Sequence, residues 1–590
     1  MGAMHAPARR ISLCAYAVFS LLILGPLGSG CKSQTTSQNS NQAQSKTAAQ
    51  INAQAPTPPP APVPQAVSDR LRAITSAGKL DSLMRPDFSD YRLHFQHAYD
   101  TSSYAPLWLN GNQPTPQATA VIGLLQNSLH KGLNPDDYDA SRWQGRLDGL
   151  KTANNAALAD FDAALTVGLM RYISDLHIGR VNPTAFKFGI DIETKKYDMP
   201  QFVTQDVQHA VDVPAVLEQI EPPYDGYKRT MAALQHYLQL AAAGDGPSVP
   251  DVAKSLKVGD AYPGTAQLAA RLKLLGDLPA DAAVNTDSHV YDATLSGGVK
   301  SFQDRHGLTP DGKLGEDTVK QLNVPLATRV VQLDDALERW RWLPPQFPQP
   351  PVVANIPEFV VRAFDADHKI VFTSNVVVGK AMRTQTPVFA KDMKYIVFRP
   401  YWNITPSITR AEIVPHIAKN RGYLASKNME IYDSSGKVIT DGTVSDEVLA
   451  QLRAGRLMVR QKPGKDNSLG LIKFIFPNEN NVYLHSTPAQ ELFSRSRRDF
   501  SHGCVRVEKP AELAAWLLRD QPPWTLEKVQ QAMQSGPDNQ QVNLKTPVPV
   551  VIFYLTAVVE QDGSVHFFDD IYGFDKSLNA VLAKGPPYPG

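Results

Sequence analysis

Cysteine is almost absent from this chain: 590 residues contain only Cys14, Cys31 and Cys504. Cys14 falls in an export-signal pattern and Cys31 at its end, so Cys504 is left as a lone thiol with no intrachain disulfide partner. Net charge is lacking too. With 59 basic and 58 acidic residues the balance is +1, which withdraws any general argument for nucleic acid or an anionic surface as partner. No apolar run is a convincing membrane span, because residues 11–24 fall short of the roughly 20 that a spanning helix needs. What remains is ordinary: 43% hydrophobic and 20% charged residues describe a globular protein. Its length exceeds one core and implies about three or four domains.

Arg9 and Arg10, the apolar stretch 11–24 and the small residues Gly28-Ser29-Gly30 together describe a secretory signal. Cys31 follows directly and resembles a bacterial lipoprotein attachment cysteine, although Gly28 stands where Leu is usual. Residues 32–68 are rich in Gln, Ser, Ala and Pro and cannot bury enough apolar surface to fold. They read as a tether of about 30 to 35 Å.

The expected fold is multidomain α+β. Residues 69–257 carry helical periodicity, as at Leu158, Phe161, Leu165, Leu169 and Tyr172, with a breaker-rich turn at 131–138. Asp175, His177 and Arg180 are expected to cap or pair within this scaffold. Residues 258–326 form a compact unit, 327–350 a linker helix with Trp340 and Trp342 as packing anchors, and 351–575 a β-rich domain. That pattern breaks over 408–467, where helices and polar turns suggest a cap over a site. Residues 576–590 read as a tail.

Chemistry centres on Ser501-His502-Gly503-Cys504-Val505-Arg506 and on His485, nineteen residues upstream of the cysteine. A thiol attacks carbonyls as its thiolate and needs a base or a supportive field. His485 is the candidate base, delivered by the strand-like Val482-Tyr483-Leu484. Gly503 accepts strained dihedrals, and its N–H, with that of Cys504, is a candidate oxyanion donor. Arg506 should share the side of Cys504, to shape the pocket or meet a substrate carboxylate. His502 is either a second base or a residue that shapes the turn; Tyr401 and Trp402 either line the pocket or belong to a core. A zinc site lacks ligands, since no second Cys or His-x-x-x-His pair is present.

Two resemblances follow from these residues. Val299-Lys300-Ser301-Phe302-Gln303, the loop 307–312 and Gly315-Glu316-Asp317-Thr318 resemble the three-helix peptidoglycan-binding domain. The stretch from Pro351 resembles the YkuD-type catalytic domain of L,D-transpeptidases, whose signature is a His followed by Ser/Thr-x-Gly-Cys-x-Arg/Asn. The domain order, with residues 399–408 and 463–470, resembles the large periplasmic YcbB-like subgroup. The resemblance implies Cys504 as nucleophile, His485 as base and the Ser486 carbonyl as its orienter, with Ser501, His502, Arg506, Tyr401 and Trp402 around the substrate and no cofactor or metal. It implies a cysteine acyltransferase that forms 3→3 cross-links between peptidoglycan stem peptides and releases D-alanine, in the periplasm; the residues before Cys31 separately suggest membrane attachment through a lipid on Cys31, with plain cleavage or an uncleaved anchor as the alternatives. The alternatives are an L,D-carboxypeptidase or wall-protein-releasing hydrolase of the same fold, and a silent wall-binding scaffold.

Overall fold

The computed structural model describes residues 63–381 and 384–589. The signal, Cys14, Cys31 and nearly all of the tether lie outside the described residues. Among those residues no helix is long and apolar enough to cross a membrane. Helix begins at Gln65, inside the stretch expected to be tether, because Val67, Leu71 and Ile74 already bury one face.

The scaffold is built around Asn155–His177, started by Asn154, whose side chain accepts the Ala157 N–H. Nearly every residue beyond its first turn is buried, as expected of a helix apolar around most of its surface. Its buried polar groups are partnered. Asp162 accepts the Tyr99 hydroxyl at 2.6 Å and the N–H groups of Leu107 and Trp108, while burial pushes its carboxyl up to about 6. Asp175 accepts the Tyr138 hydroxyl, and Arg180 pairs with Glu338 at 3.0 Å. These polar residues join elements.

The compact unit after the scaffold has its own core, running from Val249 to Leu322 and centred on Leu268, Leu295, Val299 and Phe302. It starts earlier than position 258, since Leu256 pairs with Leu314. The segment read as an amphipathic linker helix is a helix, and it is packed on several sides. Leu326–Arg341 packs against Asp225–Ala243 and, with Trp342 that follows it, buries Leu333, Leu337 and the Trp342 ring in the core of the β domain. Its charges are buried as well, with Arg339 on Asp575 at 2.6 Å. Nor is the C-terminus a tail. Phe574–Leu582 is a helix that buries Leu578 and Leu582, and the Tyr588 hydroxyl donates to Asp137 at 2.6 Å.

The β domain is a closed sheet. In order, its strands are Ile370–Gly379, Val505–Val507, Leu484–His485, Ile472–Ile475, Phe389–Phe398, Gln540–Phe553, Val352–Asn355 and Val360–Phe364, which pairs back to Ile370–Gly379. Asp499–Ser501 adds a parallel strand beside residues 378–379. One face of each strand of the closed sheet fills the core with mainly Val, Ile, Leu and Phe, Asp499–Ser501 excepted, each such side chain contributing about 1.5–3 kcal/mol when fully buried.

The insertion is larger than the 408–467 expected and carries a sheet of its own. Trp402–Ile404, Met458–Gln461, Met429–Tyr432 and Val438–Thr440 pair in that order around Ile404, Ile417, Leu424 and Val459. Their shortness hid them among polar turns. Asn467 closes the base of the insertion by donating to the carbonyls of Pro400 (3.1 Å) and Lys462 (2.9 Å).

Candidate active site

Sheet register assembles the site. His485 lies directly across from Arg506 on one side and from Lys473 on the other. Residues opposite one another share a face, and faces alternate along each strand. Arg506, His485 and Lys473 therefore form one row, and Cys504 and Tyr483 form the next, where the Val505 N–H donates to the Tyr483 carbonyl at 3.1 Å. Leu484, Val505, Val507 and Phe474 point the other way and are fully buried. Core packing thus holds the chemical face in place.

Cys504 and His485 are diagonal neighbours in this array. They share no hydrogen bond; the half-buried thiol faces the Asn481 carbonyl at 3.8 Å. The imidazole Nδ1 donates to the Ser486 carbonyl at 2.5 Å, which leaves Nε2 as the basic nitrogen. Ser486 is itself fixed: its hydroxyl accepts from the Leu471 and Ile472 N–H groups and donates to the Leu469 carbonyl. Gly470 makes room for it. A Cβ there would stand 2.1 Å from Ser486 Oγ, and φ is +63°.

Electrostatics keep both reacting groups neutral. Burial first, then the Arg506 charge, pushes the His485 imidazole down to about 3. Burial raises the Cys504 thiol above its ordinary value, opposed by hydrogen bonding from Tyr483 and by the charges of Arg506 and Lys473. Both shifts favour a neutral thiol beside a neutral imidazole.

The turn before Cys504 is braced from within. Gly503 has φ +118°, and its carbonyl accepts from Thr386 Oγ1 at 2.8 Å. Its N–H donates to Ser501 Oγ at 3.0 Å, so it is already committed and does not serve as the expected oxyanion donor. The Cys504 N–H has no acceptor among the described residues. Ser501 is buried, and its hydroxyl donates to the Cys504 carbonyl at 2.6 Å, which makes it part of the turn and not a substrate contact. His502 Nε2 meets Glu412 Oε1 of the insertion at 2.7 Å.

Trp402 begins a strand of the insertion's sheet and Tyr401 directly precedes it, so neither lies in the catalytic rows. Arg460 covers the Tyr401 ring at 4.6 Å, and Trp402 pairs with Gln461 and packs on the insertion's core. Arg506 does share the face of Cys504. Sequence reasoning missed Lys473, Tyr483, Glu412 and the turn's outer support, Tyr572, whose hydroxyl donates to the Gly379 carbonyl at 2.6 Å. A period-2 reading of Tyr483 and His485 would have put both on one face; the partners brought in by distant strands left no local signal.

Three family models match the chain. Residues 350–552 match the L,D-transpeptidase catalytic domain, 262–322 a model described as "Putative peptidoglycan binding domain", and 94–234 a "Scaffold domain". A Haemophilus influenzae protein described as "Putative L,D-transpeptidase" is 32% identical over 228 residues. That match covers 39% of this chain and 45% of the relative, less than half of each. The chain carries a YkuD-type L,D-transpeptidase catalytic domain, a peptidoglycan-binding domain and a helical scaffold domain.

Proposed function

We propose that this protein is a peptidoglycan L,D-transpeptidase that forms 3→3 cross-links through a thioester on Cys504. The sulfur adds to the carbonyl between the third stem residue and a terminal D-alanine as the thiol proton passes to His485 Nε2. The Cys504 N–H is the available donor to the oxyanion. The C–N bond then breaks, the imidazolium returns the proton to the leaving amine, and D-alanine departs. A side-chain amine of a second stem attacks the thioester, the new C–N bond forms as the C–S bond breaks, and the proton the amine gives up passes through His485 to the sulfur, restoring the thiol. The broken amide supplies the new one, so no nucleotide enters the balance.

The observation that carries this reading is the shared sheet face of Cys504 and His485, with Nδ1 tied to Ser486 and Nε2 left basic. The test is mass analysis of muropeptides after incubation with purified tetrapeptide substrates. Cross-linked product and released D-alanine are expected from the native enzyme, and neither from Cys504→Ala. Tripeptide alone would make it a hydrolase, and no change would make it a binder. The peptidoglycan-binding domain is proposed to hold glycan while Cys31 carries lipid on the periplasmic side of a membrane. Cys31→Ser should then move the protein to the soluble fraction; an unchanged membrane fraction refutes the anchor.

A further inference from the structure

Lys473 and Arg506 flank His485 across neighbouring strands, one on each side. Both are half-buried, and among the described residues neither is in an ion pair. Arg506 Nε is buried with no hydrogen-bond partner. The Lys473 ammonium lies over the Tyr483 ring, 6.0 Å from its centre. The groups whose negative charge acts on Arg506 are Cys504, which must ionise to supply it, and after it Glu491, which is exposed; on Lys473 it is Cys504. Two partly desolvated cations on either side of one imidazole without an anion are costly, because burial weakens hydration and nothing replaces it. Burial lowers the affinity of both groups for their protons accordingly. The site is thus short of negative charge, and the nucleophile cannot supply it while it rests as a thiol.

We propose that Lys473 and Arg506 form a carboxylate-binding pair that receives the terminal carboxylate of the donor stem peptide, one residue beyond the bond that Cys504 attacks. This assignment rests on the acyl-transfer reading above and names what recognises the leaving residue. The terminal carboxylate lies about 3.5 Å of extended chain past the scissile carbonyl. The sulfur and cation rows are two strand residues apart, about 6.6 Å, and the lengths of the lysine and arginine side chains cover the remainder. A guanidinium and an ammonium converging on one carboxylate give charge-assisted bonds that an amide cannot reproduce. The anion would also offset the positive field on His485 once the donor is seated, favouring the imidazolium that acylation requires.

Binding can be separated from chemistry by using Cys504→Ala protein and calorimetry with two stem tetrapeptides, one ending in D-alanine and one in D-alaninamide. The free acid is expected to bind at least about tenfold more tightly, the range of a hydrogen bond to a charged group. In Cys504→Ala/Lys473→Met the preference should collapse towards one, through loss of affinity for the acid and not the amide; Lys473→Arg should restore most of it. Equal affinities in the parent, or equal losses for both peptides, overturn the pair. A preference that follows amidation of the third residue's side-chain carboxylate overturns the choice of the terminal group. Thioester formation by the intact Cys504 protein, read by mass, tests the acyl-transfer reading separately.

Discussion

Alkylation of Cys504 by iodoacetamide should rise about tenfold with each pH unit from 5 to 9, because the reagent samples the thiolate. The thiol sits above an ordinary value of 9.0 and the imidazole is pushed down to about 3. Between those values the pair has given up no proton from sulfur and taken none onto nitrogen. With a thiol at 9 or higher, thiolate is at most about 1% of the population at pH 7 and about 0.01% at pH 5. A preformed imidazolium–thiolate pair behaves differently: its thiolate is fully present between the two values, so the rate is flat there. Rates at pH 8 and pH 5 thus differ by about 10³ for the neutral pair and by about 1 for the ion pair. Peptide mapping by mass spectrometry reads Cys504 apart from Cys14 and Cys31. A plateau from pH 5 to 8 would refute the neutral pair. Acylation by a carbapenem, a compound class that acylates members of the family resembled here, should behave oppositely. Neutral His485 is present down to about pH 4, so the acidic limb should show no inflection near 6.5. His485→Ala should slow that step by about 10²- to 10⁴-fold.

Gly470→Ala should remove acylation activity, since its Cβ would displace the Ser486 hydroxyl and force a side chain into φ +63°; activity within twofold of the native enzyme would show that Ser486 need not be held. Glu338→Gln leaves Arg180 buried without its counter-ion, so unfolding in urea should become about 3–5 kcal/mol easier, and an unchanged midpoint would exclude that pair as a joint between scaffold and β domain. The His502–Glu412 contact is partly exposed, at 36% and 47% of side-chain area, and is worth about 1 kcal/mol or less. Glu412→Gln should therefore speed hydrogen exchange in residues 406–419 by no more than about fivefold, without changing exchange in the barrel strands; no change at 406–419 would mean that the bridge does not restrain the insertion.

The candidate nucleophile and base were legible as candidates because their chemistry is written locally: a lone thiol after Gly503, and a histidine at a strand end before a turn. Elements with a strong period were legible too, as in Asn155–His177, whose apolar residues recur at helical spacing. The insertion's sheet escaped because strands of three and four residues, such as Val438–Thr440, offer too few alternations to stand out from turns. The apolar face of Leu326–Arg341 was legible, but the burial of its arginines and acids was not. Asp575 and Arg180, far away in the chain, let Arg339 and Glu338 be buried. Lys473 shows where local reading stops. Alternation of Ile472 and Phe474 inward already turns Lys473 outward, but only antiparallel register sets it opposite His485. Gly503 teaches the converse: its backbone freedom was apparent, while its N–H was taken by a serine two residues away. Local pattern tells which groups are able to act. Which of them remain unsatisfied, and so can be offered to a substrate, is decided by pairing across strands, and that criterion singles out the Cys504 N–H, Lys473 and Arg506.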